Sequence, residues 1–545
     1  MRENPLWATR CGDHRFDDRL PAVSVAAAER QAVEMRRFQE RLEAMDRAAL
    51  PPAGQLNYDL LARDLGDALA EFNFGTHLLP LNRSSGPQIY LPDLPIIAPF
   101  ATAEDYAHYI ARLQGFPRFL ADYVDLMSTG LRQGYVPPRV TLEGCAEQIQ
   151  AHVVADPAAS VFHGPFERFP HALGERERAE LHAAGRAAIT EAVGPAFRNL
   201  LRFLQEEYLP KARADVGAWA LPDGAAFYEH RVRSFTTLDV TPQQVHEIGR
   251  AEVQRIRAEM AAIPRRVDFA GDFHAFLHFL RADPRFYVDT PAALLQHVAL
   301  ILKKMDGELP TLFGRLPRTP YGIREIPAFS APQQTTAYYF PPAGDGTQAG
   351  FYYVNTYNLK SRPLYEHEAL SLHEAVPGHH LQIALQQELD LPNFRRFGSV
   401  TAFVEGWALY AERLGLETGF YQDPYSDFGR LTYEMWRACR LVVDTGIHAL
   451  RWSRQQAVDF MAENTGLTLL NIANEVDRYI AWPGQALAYK ISEIKIRELR
   501  TRAESELGAR FNLREFHDLL LGSGAVPLDV LEEMVVRWIS QQQQI

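Results

Sequence analysis

Apolar residues recur at three- and four-residue spacing along most of this chain. A chain patterned this way buries its apolar surface by packing helix on helix. Residues 24–49, 102–133, 173–212, 241–263 and 291–306 carry the pattern with good helix formers, and 400–540 reads as nearly continuous helix with short breaks. Thr241, Pro242 and Gln244 supply a capping-box start for one of these helices. One segment differs. Residues 309–360 are rich in Pro, Gly and aromatics, and "GFYYVNTYN" (350–358) alternates aromatic or apolar with polar residues, as a strand does. "PPAGDGTQAG" before it reads as a turn. The expected fold is mainly α, multi-helix and two-lobed, with a deep cleft and a small β element leading into a helix. A break near 215–240 ("VGAWALPDGAAFYEHRVRSF" at its centre) divides an N-terminal helical lobe, 1–215, from a second lobe, 216–545.

The length of 545 residues exceeds what one simple core organises, which also favours more than one lobe. A composition 47% hydrophobic and 23% charged excludes wholesale disorder. The net charge of −12 argues against a nucleic-acid surface. Cys11, Cys145 and Cys439 are scattered, odd in number and form no CxxC, so neither a disulfide scaffold nor a cysteine metal site is expected. No stretch reaches 18 uninterrupted apolar residues, so no transmembrane span is expected. The opening "MRENPLWATRCGDHRFDD" lacks an apolar leader core. A cytoplasmic location is the expectation for the sequence as it stands, and an envelope location if a leader has been trimmed. A homodimer is left open.

The chemistry gathers in "SLHEAVPGHHLQ" (371–382). A Glu beside a metal-binding His is the usual base for activating a metal-held water, which makes Glu374 a candidate base next to His373. The usual second His, four residues on, is missing. Pro377 stands there, and His379 and His380 follow at i+6 and i+7. On a straight helix those lie roughly 9 or 10.5 Å along the axis, too far for two bonds of about 2.0–2.1 Å to one ion. Pro377-Gly378 falls in the gap. Pro breaks the hydrogen-bond ladder and Gly takes unusual dihedrals, so a bulge here can swing His379 back beside His373. His379 is favoured because fewer residues need absorbing, with His380 as the alternative. His367-Glu368, six residues upstream without a breaker, reads as structural.

Such a site needs a third ligand. Downstream, "VEGWA" is similar to the "NEGFA" of thermolysin-like (gluzincin) zinc aminopeptidases, and that resemblance implies Glu405 as the third ligand. Glu412, one heptad on along the same face, suits a partner that orients a ligand His, or the ligand itself if Glu405 is not. Two strings suit a cleft wall. "EMWRACRLVVDTGIHAL" carries Arg437, Arg440, Asp444 and His448, and "EVDRYIAWPGQALAYKISEIKIREL" carries Arg478, Tyr479, Gln485, Tyr489 and Lys490. Tyr489 or His448 can polarise a scissile carbonyl. Lys490 or an arginine can hold a peptide carboxylate.

"HEAVPGHHLQ", "VEGWALYAE", "RLVVDTGIH" and "YIAWPGQALAYKI" together resemble the bacterial domain-of-unknown-function family 885 (DUF885). Its members look like helical zinc-peptidase relatives with an HExxPGHHxQ signature. The likeness runs from "ATRCGDHRFDD" through "TLDVTPQQVHEIG" to the C-terminus, with Ser492 where the family usually has Gly. It implies a zinc-peptidase-like fold with His373, Glu374, His379, His380 and Glu405 at the site. The function expected is a metal-dependent hydrolase with one Zn²⁺ per chain, cleaving short peptides. Glu374 acts as base, Tyr489 and His448 serve the oxyanion, and Arg437, Arg478, Tyr479, Gln485 and Lys490 contact substrate. Two alternatives use the same residues. A His₂-carboxylate set also suits a non-haem iron centre, and a helical peptide- or solute-binding protein could carry a degenerate site.

Overall fold

The computed structural model describes residues 2–328 and 331–544, and the chain divides into two compact units, Met1–Phe227 and Tyr228–Ile545. Both are mainly helical. No helix is long and apolar enough to cross a membrane among the described residues. Cys145 and Cys439 are buried thiols.

In the first unit, Thr102 and Asp105 cap helix Ala103–Gln114 reciprocally, and Gly115 separates it from Phe116–Gln133. Pro117 sits in the first turn of the second helix, where its missing N–H has no cost. The 173–212 segment is a helix from Glu175 that runs on through two wide π turns, Ile189–Val193 and Leu204–Tyr208. The aromatic core of this unit includes Tyr109, Phe116, Phe162, Phe197 and Tyr208.

The second unit begins in helix Gly224–Thr236 and continues with α1 (Pro242–Arg266), whose start is the Thr241–Gln244 capping box read from the sequence. Helix α2 (Pro291–Leu312) follows. A small sheet comes next, of β1 (Tyr321–Glu325), β2 (Ala337–Phe340) and β3 (Gly350–Val354), in the order β1-β3-β2 among the described residues. β1 runs parallel to β3, and β2 antiparallel to it. The strand expected over 350–358 ends at Val354. The Asn355 side chain accepts from Tyr357 N–H (3.0 Å) and donates to the 331–335 backbone, bending the chain away, and Asn358 takes a positive φ of 53°. Of the 309–360 segment, residues 329 and 330 lie outside the described residues.

The helices that carry the site follow: α3 (His367–Glu374), α4 (His379–Glu388), α5 (Thr401–Leu414), α6 (Pro424–His448), α7 (Leu469–Ala481) and α8 (Ala488–Leu507). Helix α6 is buried along almost its whole length. It packs on α1 at Gly249, where a Cβ would run into Leu441 and Val442. Helix α5 meets α8 at Gly406, against which Ser492 is wholly buried. A glycine on one helix and a small serine on the other bring the two backbones together. Ser492 therefore lies at this crossing.

Candidate metal centre

Helix α3 stops at Glu374 and α4 starts at His379, so the four intervening residues form the bulge. The Val376–Pro377 peptide is cis. Gly378 N–H donates to Leu372 O at 2.9 Å, and His380 N–H reaches back to Ala375 O at 3.0 Å. A Cβ on Gly378 would collide with the carbonyl oxygens of His373 and Leu372, so the close approach requires glycine. From α5, the Trp407 indole N–H donates to Pro377 O at 2.9 Å and ties the bulge to the helix carrying Glu405.

This brings His379 beside His373, ring centroids 4.7 Å apart and nearly perpendicular. Glu405 Oε2 lies 3.6 Å from Nε2 of each ring, and one ligand atom from each of the three residues lies within 4.8 Å of the others. At 3.6 Å these are not hydrogen bonds, and Oε2 has no other hydrogen-bond partner among the described residues. His373 Nδ1 faces Glu412 Oε1 at 2.8 Å. A carboxylate only accepts, so this contact puts a proton on Nδ1 and leaves Nε2 turned toward Glu405. Nε2 and the Glu405 carboxylate come this close only with a proton or a metal ion between them. Four-coordinate zinc with bonds of about 2.1 Å separates its ligand atoms by about 3.4 Å, near the spacing of Glu405 from each imidazole.

Burial and charge set the protonation of the cluster. Burial opposes a charged His373, but Glu405 and Glu412 outweigh it and raise the ring to about 9. Burial pushes His379 down to about 4. Against its own burial, Glu405 is held at about 2 by the adjacent imidazoles. Burial lifts Glu374 to about 7, with His373 opposing and Glu405 adding to the rise. A carboxyl near 7 can both take and return a proton at neutral pH.

These four residues line a pocket of about 310 Å³ within the second unit. Thr335–Tyr339 form one wall, so β2 is the strand beside the site, and its edge away from β3 has no strand partner among the described residues. Strand β3 is central in the sheet. Tyr433, Trp436, Arg437 and Arg440 of α6, Glu475 and Arg478 of α7, and Tyr489 of α8 complete the pocket. The Arg440 guanidinium lies 4.3 Å from the Tyr489 ring centre.

The structure does not bring every expected residue to this pocket. His380 points to the sheet, with Nδ1 2.8 Å from the Tyr339 hydroxyl and Nε2 3.1 Å from Thr319 O. Successive helix residues project about 100° apart, so neighbouring histidines face different surroundings. His448 Nε2 lies 3.0 Å from Tyr479 O, and the ring packs on Tyr228, outside the pocket lining. The Tyr479 hydroxyl accepts from Trp436 (2.9 Å) and Arg440 (3.0 Å) behind the wall. Gln485 does not line the pocket either; its Oε1 accepts from Arg478 at 2.8 Å. Lys490 is fully buried among Glu434 and Glu493, both at 2.7 Å, and Glu252 at 3.1 Å. A lysine with three carboxylates around it is an internal counter-ion with no donor to spare for substrate. His367 is buried 6.2 Å from the His297 ring, away from the cluster.

Sequence reasoning missed Glu475, which joins Arg440 (3.2 Å) to Arg478 (2.8 Å), and Trp407, which pins the bulge. The i,i+3 spacing of Glu475 and Arg478 was the one available signal for the former.

The model of a bacterial protein family of unknown function, DUF885, matches residues 5–535. The chain belongs to this family. No curated protein matches it. Among solved structures, one described as a putative lipoprotein from Colwellia psychrerythraea is 30% identical, with TM-score 0.94, covering 99% of this chain and 96% of its own. Another, described as a putative lipoprotein of unknown function from Shewanella oneidensis, is 19% identical with TM-score 0.72, covering 98% and 96%. The second shares the fold.

Proposed function

We propose that this DUF885 member is a metal-dependent hydrolase of short peptides, with a zinc-peptidase-like architecture. His373, His379 and Glu405 hold one divalent ion, zinc by preference. The observation that carries this reading is the position of Glu405 Oε2, 3.6 Å from two imidazole nitrogens and without a hydrogen-bond partner among the described residues, in the same pocket as a neutral-range Glu374. Two imidazoles and a carboxylate around an open fourth position are the donor set of catalytic zinc. A bound ion supplies Lewis acidity toward a water and a carbonyl oxygen. Glu374 takes a proton from the attacking water and passes it to the leaving nitrogen. Glu412 fixes the His373 tautomer, and Arg437, 3.4 Å from the same Glu412 oxygen, holds that carboxylate in turn. Tyr489 contributes one of the pocket hydroxyls, suited to donate to a developing oxyanion.

The test is hydrolysis of a peptide library by zinc-loaded protein beside Glu374→Gln. The variant is expected to retain the metal and to lose about 100- to 10,000-fold in kcat, the usual worth of a general base. Unchanged turnover in the variant would remove Glu374 from the mechanism. The description of the 30%-identical Colwellia protein as a putative lipoprotein supports an envelope location, which fractionation of cells making the protein would check.

A further inference from the structure

Three guanidinium groups reach one small pocket, and their internal pairing is incomplete. Arg440 donates through Nε to the Tyr479 hydroxyl and through Nη2 to Glu475. Its Nη1 is buried and has no hydrogen-bond partner among the described residues. Arg437 reaches Tyr433 O (3.3 Å) and Glu412 (3.4 Å), while its Nε is likewise buried and without a hydrogen-bond partner. Arg478 is satisfied by Glu475 and Gln485. Glu475 is the single carboxylate shared by Arg440 and Arg478, so that pair of arginines keeps a net positive charge. Both orphan nitrogens belong to side chains no more than 4% exposed. A buried N–H left unpaired costs about 1–3 kcal/mol, more when charged, so such donors ordinarily have a partner.

From this we infer that the pocket is built for a substrate carrying a free carboxylate, held by Arg440 with Arg437, and that the carboxylate is the C-terminus of the peptide. The inference rests on the hydrolase reading for its direction of cut. The pocket's volume of about 310 Å³ is at the small end for ligand sites. Metal ligands and arginines therefore share a space that admits one or two residues between the scissile bond and the carboxylate. The enzyme would remove one or two residues from the C-terminal end of short peptides. Arginine suits this role because its planar fork matches a carboxylate and the pairing is charge-assisted. A C-terminal amide would present no negative charge to the arginines that line the pocket.

The experiment uses acetyl-Ala-Ala-Phe as free acid and as C-terminal amide. Hydrolysis is measured with zinc-loaded full-length protein, with products identified by mass spectrometry. Binding is measured by calorimetry on Glu374→Gln, so that recognition is read without turnover. The expected result is release of one or two C-terminal residues from the acid, kcat/KM at least tenfold lower for the amide, and tenfold tighter binding of the acid. That preference should disappear in Arg440→Gln and return partly in Arg440→Lys. The comparison of acid with amide on otherwise intact protein stands even where an arginine variant fails to fold. Equal cleavage or equal binding of acid and amide would overturn the carboxylate site and leave the hydrolase standing. A tight, acid-selective complex without any hydrolysis would overturn the hydrolase and leave the carboxylate site standing. Failure of the acid to bind would overturn the carboxylate site.

Discussion

Replacing Glu412 by Gln isolates one charge at the candidate metal centre. Glu412 Oε1 lies 2.8 Å from His373 Nδ1, and both side chains are almost fully buried. Gln keeps the shape and can still accept from Nδ1–H, so the perturbation is loss of charge rather than of a hydrogen bond. At an effective dielectric of 20, a unit pair at 4 Å is worth about 4 kcal/mol, which sets the ceiling. Arg437, 3.4 Å from the same oxygen, already neutralises part of that charge. The expected loss is therefore the 10- to 100-fold in metal affinity typical of removing a partner behind a ligand His, about 1.4–2.8 kcal/mol. A competition titration against a chromophoric chelator at fixed pH gives the zinc Kd of both proteins, and thermal unfolding with metal chelated checks that the variant folds. An affinity within twofold of the parent would refute the reasoning, because His373 would then not be the ligand that Glu412 orients.

Other consequences follow from the same geometry. Gly378→Ala drives a Cβ into the His373 and Leu372 carbonyls; we expect about 1–3 kcal/mol lower stability by denaturant titration of chelated protein, together with weakened zinc binding, and a variant as stable as the parent would show that the bulge does not need glycine. Lys490→Met removes the cation from among three carboxylates and should cost about 3–5 kcal/mol in the same titration; a neutral result would mean that those carboxylates find other partners. Burial raises Asp444 to about 7, although the Tyr228 hydroxyl and the Gly484 amide lower it. The folded state thus holds this proton more tightly than the unfolded chain, so stability is fully present below about pH 4 and is lost as pH rises toward 7. The stability difference between parent and Asp444→Asn, followed from pH 4 to 8, should shift in favour of the variant across that window, by up to about 4 kcal/mol, and a flat difference would remove Asp444 as its source.

The helical framework was legible because its signals are local. The Thr241–Gln244 capping box and the amphipathic runs each name a helix without knowledge of its neighbours. β1 and β2, five and four residues long, carry too few alternations to register in sequence. Strand β3 was visible but ends early, because Asn355 turns the chain with its own side chain. At the site, the Pro-Gly between the histidines pointed to a bulge, and the bulge does bring His379 to His373. What sequence does not encode locally is which way a side chain faces once helices pack. Lys490 looked like a cleft residue, but its partners Glu252 and Glu434 arrive from α1 and α6. His448 sits in a plausible string yet turns to the end of α7. Arg440 and Arg478 become a pair only when α6 and α7 place Glu475 between them.

The most direct test of the metal centre is elemental mass spectrometry of the purified protein after equilibration with zinc and removal of excess, for the parent, His379→Ala and His380→Ala. The expected result is one zinc per chain in the parent and in His380→Ala, and essentially none in His379→Ala. No zinc in the parent, or loss of zinc in His380→Ala with retention in His379→Ala, would contradict the assignment of His373, His379 and Glu405 as the metal-binding set.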